Sequence, residues 1–351
     1  MPAENADNAG KRPLAIILGV AGERLRPDER RFFAEVDPLG FVLFRRNCVS
    51  REQVRTLVTA LREAVGRVDA PVLIDQEGGR VVRLRPPHWR AYPAAAEIAS
   101  LPDPVAREAA HLSARLIAGD LAELGITVDA APVLDLPLPG ADPVIGDRAW
   151  GTDPARVTSL GRAVCEGLLE GGVLPIIKHI PGHGRARDDS HKSLPRVDDP
   201  LAVLRQEDFA PFRALADMPW AMTAHIVYAA VDAAAPATLS PAVIGNVIRG
   251  EIGFDGVLVS DDVSMGALSG SFAERTKGAL DAGCDLVLHC NGDMTEMQEI
   301  AAAALPLTRQ AQARLARGEE LRRSRRQDFD RDAAERRFAE LMAGRAAAET
   351  A

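Results

Sequence analysis

Short apolar runs alternate along the chain with longer amphipathic stretches. The apolar runs have the length and composition of buried strands and span Leu14–Val20, Gly40–Phe44, Pro71–Ile74, Ile126–Val128, Leu174–Ile177, Trp220–Ala224, Val257–Ser260 and Asp285–Cys290. Helices are predicted between them, over stretches that include Arg51–Val65, Pro104–Leu124, Pro154–Glu170, Pro241–Glu251 and Ser271–Ala282. Eight strands that alternate with helices predict an α/β fold, a single (β/α)8 barrel.

A doubly wound open sheet is the alternative architecture. Such sheets often carry a G-x-G-x-x-G sequence that opens a helix after the first strand. Here Gly19-Val20-Ala21-Gly22 is followed by Glu and Arg instead. The pattern therefore favours the barrel.

The chain divides into a barrel with two flanking segments. At 351 residues it has a length that α/β barrels reach as one unit. We predict a flexible polar tail over residues 1–13, a catalytic barrel over residues 14–310 and a charged, helical C-terminal segment over residues 311–351. No Gly/Ser-rich linker and no internal repeat divides the sequence further.

Composition and charge exclude several classes of partner. Hydrophobic residues make up 47% of the chain and aromatic residues only 4%, so the core must consist mainly of Ala, Val, Ile and Leu. A net charge of −8 argues against binding to a nucleic-acid backbone. No run approaches the roughly twenty apolar residues of a membrane span. We expect a monomer without a nucleic-acid or membrane partner.

The four cysteines and the N-terminal sequence bear on the compartment. Cys48, Cys165, Cys284 and Cys290 form neither a paired framework nor a C-x-x-C motif, which is typical of free thiols in a reducing compartment. The run Leu14–Val20 is short and lacks a convincing cleavage site. We therefore predict a cytoplasmic location.

A histidine-rich segment follows the fifth apolar run. It contains Lys178-His179-Ile180-Pro181-Gly182-His183-Gly184 and then Asp189-Ser190-His191. Three His in a short segment suggest a metal site, but the Pro and Gly residues prevent a helix that carries His179 and His183 on one face. We predict no metal. Asp189 and His191 lie two residues apart, so a carboxylate can hold one imidazole nitrogen while the other exchanges a proton.

Polar residues also follow most of the other predicted strands. They include Asp75–Arg83, Asp135, Gly146–Arg148, His225, Asp261-Asp262 and Asn291. In a barrel all these strand ends open onto one face, where active sites lie. The sequence thus predicts a rim rich in carboxylate, Arg, Lys and His side chains. We interpret Asp262 as a helix N-cap, because Ser260–Ser264 is rich in capping residues, and His289 as a core residue.

These motifs together resemble glycoside hydrolase family 3, in its single-domain β-N-acetylhexosaminidase branch of peptidoglycan recycling. The resemblance runs from Leu43-Phe44-Arg45-Arg46-Asn47 to Cys290-Asn291, and is most specific at D-Q-E-G-G-R-V (Asp75–Val81), K-H-x-P-G-H-G (Lys178–Gly184), D-S-H (Asp189–His191) and G-F-D-G-V-L-V-S-D-D-V-S-M (Gly253–Met265). The family's fold is a barrel of the kind that the strand pattern predicts.

The resemblance implies an activity and a set of site residues. It implies a retaining exo-β-N-acetylglucosaminidase that removes terminal N-acetylglucosamine from peptidoglycan fragments, with Asp261 as nucleophile and His191 with Asp189 as an acid/base dyad. It also implies that the sugar is bound by Asp75, Arg83, Arg148, Lys178 and His179, without a cofactor. Ile180 stands where Phe is common, and Arg185-Ala186-Arg187 replaces a stretch that often begins with Asp.

Several other functions remain open at this stage. The same residues could transfer the sugar to phosphate, because a His acid/base does not repel an incoming phosphate as a carboxylate would. A muropeptide-binding sensor without activity would not need an intact Asp261, Asp189 and His191. A β-glucosidase of this superfamily typically takes its acid/base Glu from a second domain, and a metal-dependent hydrolase is disfavoured by the spacing of the His residues.

Overall fold

Eight parallel strands close into a barrel in the computed structural model, which describes residues 12–349. These strands are β1 (Leu14–Gly19), β2 (Pro38–Leu43), β3 (Val72–Ile74), β4 (Val128–Asp129), β5 (Leu174–Ile180), β7 (Trp220–Thr223), β9 (Val257–Asp262) and β10 (Leu286–His289). Their order around the barrel is β1, β10, β9, β7, β5, β4, β3, β2. Two further strands, β6 (Arg196–Val197) and β8 (Val227–Tyr228), form a separate parallel pair.

Helices surround the barrel. They are α1 (Pro27–Val36), α2 (Arg51–Val65), α3 (Ala95–Ala99), α4 (Asp103–Glu123), α5 (Pro154–Glu170), α6 (Leu201–Gln206), α7 (Phe209–Ala214), α8 (Phe272–Ala282), α9 (Met294–Ala303), α10 (Arg309–Arg325) and α11 (Arg331–Glu349). The segment Val243–Glu251 is π-helical.

Local sequence explains where these helices begin and which face they bury. In α2 the Ser50 side chain accepts a hydrogen bond from the Gln53 backbone N–H, which caps the first turn. Val54, Leu57 and Leu61 recur at helical spacing and are buried, so α2 packs one apolar stripe against the barrel.

Two layers of apolar side chains form the core. Strand residues alternate between them: Ile17, Val42 and Ile176 belong to the cluster inside the barrel, whereas Ile16 and Leu18 belong to the larger cluster between strands and helices. This alternation follows from the two-residue repeat of a strand. The same alternation determines which side chains at the strand ends face the inside of the barrel.

The structure confirms the predicted α/β barrel, and each predicted apolar run supplies one barrel strand. Three strands continue past the ends of their apolar runs. Strand β4 continues through Asp129, β5 through Lys178 and His179, and β9 through Asp261 and Asp262. Lys178, His179 and Asp261 therefore lie on the strands themselves, where the backbone hydrogen bonds of the sheet hold them.

Of the two predicted terminal segments, only the C-terminal one lies mainly within the described residues. The predicted flexible tail over residues 1–13 lies largely outside the described residues. The predicted C-terminal segment contains α10 and α11, and α10 buries Ala311, Arg314 and Gly318.

Two further features agree with the sequence analysis. All four cysteines are free thiols. Within residues 12–349, no helix has the length and apolar character to cross a membrane.

Candidate active site

A cavity of about 370 Å³ opens at the face of the barrel where the strands end. Its wall contains seven of the eight residues predicted for the site, contributed by different strands and loops: Asp75, Arg83, Arg148, Lys178, His179, His191 and Asp261. The eighth, Asp189, lies behind His191. Phe44, Met222, Met265 and Leu288 add apolar surface. A polar wall with a few apolar patches suits a sugar, which has both hydroxyl groups and C–H faces.

Three cations and two carboxylates form a connected network at one side of this cavity. Lys178 Nζ lies 2.9 Å from Asp75 Oδ1 and 2.7 Å from Glu77 Oε1. Arg83 donates to Asp75 Oδ2 at 2.8 Å. Arg148 donates to both oxygens of Glu77, each at 2.8 Å. The network fixes Asp75, Arg83, Arg148 and Lys178 relative to each other before any ligand binds.

The charges in this network keep Asp75, Glu77 and Lys178 ionised. Burial raises the pKa of Asp75, but the positive charges of Lys178 and Arg83 outweigh it and hold the pKa well below the usual range. Burial likewise raises the pKa of Glu77, and the charges of Arg148 and Lys178 outweigh it to give a pKa of about 2. Burial lowers the pKa of Lys178, whereas the two carboxylates raise it further and prevail.

His179 is fixed by a second buried carboxylate. Its Nδ1 lies 2.7 Å from Asp135 Oδ2, and the backbone N–H groups of His179 and His183 both donate to Asp135 Oδ1. These contacts orient the imidazole so that Nε2 is the nitrogen left for a ligand. The His183 ring packs edge-on against His179 at 5.5 Å. Burial lowers the pKa of His183 to about 4, so this ring is neutral.

Asp261 lies near the end of β9, partly buried in the cavity wall. Its Oδ1 accepts the backbone N–H of Asp262 at 2.8 Å. Burial raises the pKa of Asp261, but electrostatic interactions with the neighbouring His179 and His225 rings outweigh it and leave the pKa below its ordinary value. An ionised carboxylate is thus available as a nucleophile at neutral pH.

His225 lies behind the cavity wall, next to Asp261 and Asp262. It is fully buried, and its Nε2 lies 3.0 Å from the backbone carbonyl of Asp262. Because a carbonyl only accepts, Nε2 carries the proton, and Nδ1 faces the Thr238 hydroxyl at 2.7 Å. Burial lowers the pKa of His225. A neutral imidazole therefore fixes the end of β9.

His191 and Asp189 pair on the loop between β5 and β6. His191 Nδ1 lies 2.8 Å from Asp189 Oδ1, which also accepts the His191 backbone N–H. Burial raises the pKa of Asp189, but the hydrogen bonds from His191 and its charge together outweigh it and leave the pKa below its ordinary value. The His191 side chain is 62% exposed and Asp189 only 17%. The dyad thus directs Nε2 of a solvent-accessible imidazole toward the open cavity.

The loop that carries this dyad docks on the segment after β9. The Ala267 N–H donates to the Ser190 carbonyl at 3.1 Å, and the Gly266 N–H donates to the His191 carbonyl at 3.2 Å. Ser190 is buried, and its hydroxyl lies 3.1 Å from His183 Nε2. These contacts place His191 on the same cavity as Asp261.

Sequence reasoning missed several residues that shape this cavity. Glu77 and Asp135 were expected on the rim but without a role in the site, and Arg46 was not assigned to the site although it lies in a motif of the family. Glu77 and Asp135 follow strands, which was a usable signal, but neither sequence position shows which cation it would bind. The interpretation of Asp262 as an N-cap was wrong. The next helix, α8, begins ten residues later after Ser271, and the Asp262 carboxylate instead accepts from Ser264 and from the Cys290 backbone.

The prediction for His289 was correct as far as burial is concerned. This side chain is fully buried, and its Nε2 lies 2.7 Å from Glu296 Oε2. Among the described residues, no group of three or more His, Cys, Asp or Glu side chains has an arrangement that could hold a metal ion.

The chemistry available here combines a carboxylate, an imidazole and several fixed donors. A carboxylate nucleophile and a separate proton donor on one cavity are the requirements of glycosyl transfer with retention. Fixed cationic and carboxylate groups nearby are able to bind several hydroxyls of one sugar ring.

Comparisons with known proteins agree with this chemistry. The family model for the glycosyl hydrolase family 3 N terminal domain matches residues 19–317. The beta-hexosaminidase of Alkalilimnicola ehrlichii is 41% identical over 283 residues, which cover 79% of this chain and 80% of that protein. The beta-hexosaminidase of Methylococcus capsulatus is 37% identical over 279 residues, or 78% and 82% of the two chains.

Solved structures give the same result. NagZ from Neisseria gonorrhoeae in complex with N-trifluoroacetyl-D-glucosamine superposes with a TM-score of 0.84 at 31% identity, over 95% of this chain and 99% of that one. A family 3 beta-N-acetylglucosaminidase from Paenibacillus sp. str. FPU-7 has a TM-score of 0.82 at 30% identity, over 93% of this chain and 67% of that one. The chain therefore belongs to glycosyl hydrolase family 3, as a glycoside hydrolase of the β-hexosaminidase type.

Proposed function

We propose that this β-hexosaminidase is a retaining exo-β-N-acetylglucosaminidase that removes terminal N-acetylglucosamine from anhydromuropeptides released from peptidoglycan. The observation that carries the proposal is the presence, on one cavity, of the Asp261 carboxylate and of an imidazole, His191, that is oriented by Asp189. The solved relative that binds N-trifluoroacetyl-D-glucosamine supports an N-acylated glucosamine as the sugar.

The first half of the reaction forms a covalent glycosyl-enzyme. Asp261 attacks the anomeric carbon, and the bond from that carbon to the leaving oxygen breaks. His191 Nε2 gives its proton to this oxygen. Asp189 stabilises the protonated imidazole through Nδ1.

The second half releases the sugar. The neutral His191 now takes a proton from water, whose oxygen attacks the anomeric carbon and displaces Asp261. The configuration is retained because each half inverts it once.

The network on the other side of the cavity binds the sugar. Asp75 accepts from hydroxyls, whereas Lys178, Arg83 and Arg148 donate to hydroxyls or to the acetamido carbonyl, and His179 adds a donor. The cationic side chains already pair with carboxylates and are therefore held rigid. Binding of the sugar thus costs little side-chain conformational entropy. We propose that the protein acts on such fragments in the cytoplasm, where free thiols persist.

The experiment measures nitrophenol released from aryl N-acetyl-β-glucosaminide, with the aryl β-glucoside and the Asp261→Ala variant run in parallel. We expect turnover of the acetamido substrate alone, and its loss in the variant. A 2-fluoro sugar should form an adduct on the peptide that contains Asp261, detected by mass spectrometry. An adduct on another residue would exclude Asp261 as nucleophile, and silence on the acetamido substrate would overturn the proposed specificity.

Added inorganic phosphate distinguishes hydrolysis from phosphorolysis, the two transfer reactions that this site allows. The same assay is run with and without inorganic phosphate, and the sugar product is identified. We expect free N-acetylglucosamine at an unchanged rate. A sugar 1-phosphate would instead assign the chain as a phosphorylase.

A natural-type substrate tests the peptidoglycan part of the proposal. The rate on an N-acetylglucosaminyl anhydromuropeptide is compared with the rate on a chitin disaccharide. We expect a higher kcat/KM on the muropeptide, and a preference for the chitin disaccharide would remove peptidoglycan fragments as the substrate.

A further inference from the structure

Four charged side chains form a cluster at the start of the loop that carries the acid/base dyad. Arg185 Nη1 lies 2.8 Å from Asp199 Oδ1, and Arg185 Nε donates to Asp208 Oδ2 at 2.5 Å. The Nη2 atom of the same guanidinium pairs with Glu207. The Arg185 side chain is only 7% exposed, so one nearly buried cation holds three carboxylates.

The carboxylates of this cluster come from elements beyond the loop. Asp199 follows β6, whereas Glu207 and Asp208 lie between α6 and α7. The ion pairs of Arg185 therefore tie the loop after β5 to the helical segment that follows it along the chain. All four side chains lie outside the wall of the active-site cavity, so the cluster does not act by binding the sugar.

Arg185 stands where this sequence departs from the family pattern. It opens the stretch Arg185-Ala186-Arg187, which replaces a stretch that often begins with Asp. An Asp at this position would place a fourth carboxylate beside Asp199, Glu207 and Asp208, and like charges repel. The three carboxylates of this chain thus match a cation at residue 185.

Asp208 is the buried partner of Arg185. Its side chain is 2% exposed, whereas those of Asp199 and Glu207 are 40% and 46% exposed, so water screens the pair with Asp208 least. Burial raises the pKa of Asp208 to about 6, although the hydrogen bond and the charge of Arg185 lower it. Asp208 also lies against the loop, because a Cβ atom at Gly182 would be 2.9 Å from Asp208 Cβ. Removal of the guanidinium would leave a buried carboxylate without its cation beside the loop.

Only a short link separates this cluster from the dyad. Ala186 is buried, and its carbonyl accepts the Asp142 N–H at 2.8 Å. The next two residues are exposed, and Asp189 follows them. The three peptide units from Ala186 to Asp189 span at most about 11 Å, so a displacement at Arg185 and Ala186 reaches the dyad.

We propose that Arg185 is a positioning residue for the acid/base dyad, because its ion pairs fix the start of the loop from which Asp189 and His191 reach the cavity. This inference rests on the proposed function, in which His191 gives a proton to the leaving oxygen. A planar guanidinium suits the role because its several N–H groups bind more than one carboxylate at once.

The test separates impaired proton transfer from a general loss of activity. The kcat/KM of wild type and of Arg185→Met is measured on nitrophenyl and phenyl N-acetyl-β-glucosaminide. These substrates have leaving groups of similar shape, but phenol is the more basic and depends more on the proton from His191. We expect kcat/KM to fall about tenfold further on the phenyl substrate than on the nitrophenyl substrate, as for a displaced general acid. A role in folding alone would not change this ratio.

Arg187 offers a matched control on the same loop. It is exposed and forms no ion pair within residues 12–349, so Arg187→Met should leave the ratio of the two kcat/KM values unchanged. Arg185→Lys keeps a positive charge among the carboxylates and should restore part of the ratio. If Arg185→Met fails to fold, the double variant Arg185→Met/Asp208→Asn provides the test. It lacks the buried unpaired charge but also lacks the ion pairs, so the same change in the ratio is expected.

The outcomes distinguish this inference from the proposed function. An equal fall of kcat/KM on both substrates, or no fall on either, would overturn the positioning role of Arg185 while leaving the glycosidase assignment intact. Failure of the wild type to release N-acetylglucosamine from the nitrophenyl substrate would overturn the proposed function itself.

Discussion

His191 differs from the usual carboxylic acid/base in being neutral when it has given up its proton. The loss of rate on its removal should therefore increase with the pKa of the leaving group, because a more basic leaving oxygen depends more on protonation. We predict that His191→Ala loses on the order of 10² to 10⁴ in kcat/KM on an alkyl or sugar aglycone, but far less on an activated nitrophenyl aglycone. A series of aryl glycosides with graded leaving-group pKa values measures the difference. Equal losses across that series would remove His191 from the role of acid.

Asp129 is a carboxyl group that the proposed reaction does not use. It is fully buried at the end of β4, where Oδ1 accepts the Gln76 N–H at 2.9 Å and Oδ2 has no hydrogen-bond partner among the described residues. Burial raises the pKa of Asp129 to about 7, against an ordinary value of 3.8. The Gln76 N–H and Lys178 oppose this shift without cancelling it.

The raised pKa of Asp129 predicts the sign of a pH effect on stability. A group whose pKa is higher in the folded state contributes stability that is fully present below its unfolded pKa and is lost as the pH rises through the folded pKa. Wild type should therefore lose on the order of 4 kcal/mol of unfolding free energy relative to Asp129→Asn between about pH 4 and about pH 8. Urea denaturation of both proteins across this range measures the difference. Parallel curves would show that Asp129 ionises normally.

At the scale of elements, the loop between β5 and β6 depends on a close backbone contact. A Cβ atom at Gly266 would lie 2.9 Å from the His191 carbonyl oxygen and 3.0 Å from that of Lys192. Both are backbone atoms, so a side chain at this position cannot be accommodated by a rotamer change. The loop that carries Asp189 and His191 would have to move.

We predict that Gly266→Ala lowers kcat about tenfold or more, because a displacement of about 1 Å in a catalytic group is costly. The loss should be larger on poor leaving groups, since it acts through His191, and KM should change little. Gly245→Ala is the matched control, because a Cβ atom there meets nothing within 4 Å. An unchanged kcat in Gly266→Ala would show that the loop does not need this docking contact to work.

The strands were predictable because burial on both sides makes them continuously apolar. The ends of β5 and β9 were not, since Lys178 and Asp261 are polar yet lie on strands. Helix α1 was missed for a related reason: its sequence is largely charged, and only Glu29 and Phe33 are buried. Lys178, for example, is compensated by Asp75 and Glu77, about a hundred residues away in the sequence, and a local hydrophobic pattern contains no information on such partners.

In the candidate site, too, some features were predictable from the sequence and others were not. The residues of the motifs were predictable, but their pairing was not, because Glu77 and Arg148 lie far apart in the sequence and meet only because β3 and β4 pair in the sheet.

At the scale of the whole molecule, α10 closes the end of the barrel opposite the site. Gly318 lies against Pro219 and Trp220, at 3.5 Å from the position of its absent Cβ atom. Arg314 is 7% exposed and donates to Asp285 Oδ1 at 2.9 Å and to Asp255 Oδ1 at 2.8 Å. We therefore propose that the C-terminal segment from residue 311 is part of the folding unit of the barrel.

Removal of the Arg314 guanidinium tests this proposal. Loss of one partner of a buried ion pair leaves a buried charge and typically costs about 3 to 5 kcal/mol. Asp285 keeps Arg249 on its other oxygen at 2.8 Å, so we predict that Arg314→Met lowers the unfolding free energy by a smaller amount, about 2 to 3 kcal/mol. The folded fraction should retain wild-type kcat, because Arg314 is remote from the cavity.

Arg317 provides the comparison on the same helix. It pairs with Asp255, but both side chains are more than half exposed, and exposed pairs contribute at most about 1 kcal/mol. Urea denaturation of Arg314→Met and Arg317→Met should therefore give clearly different midpoints within a single cooperative transition. Two separate transitions, or equal small effects of both substitutions, would mean that α10 is attached to the barrel without stabilising it.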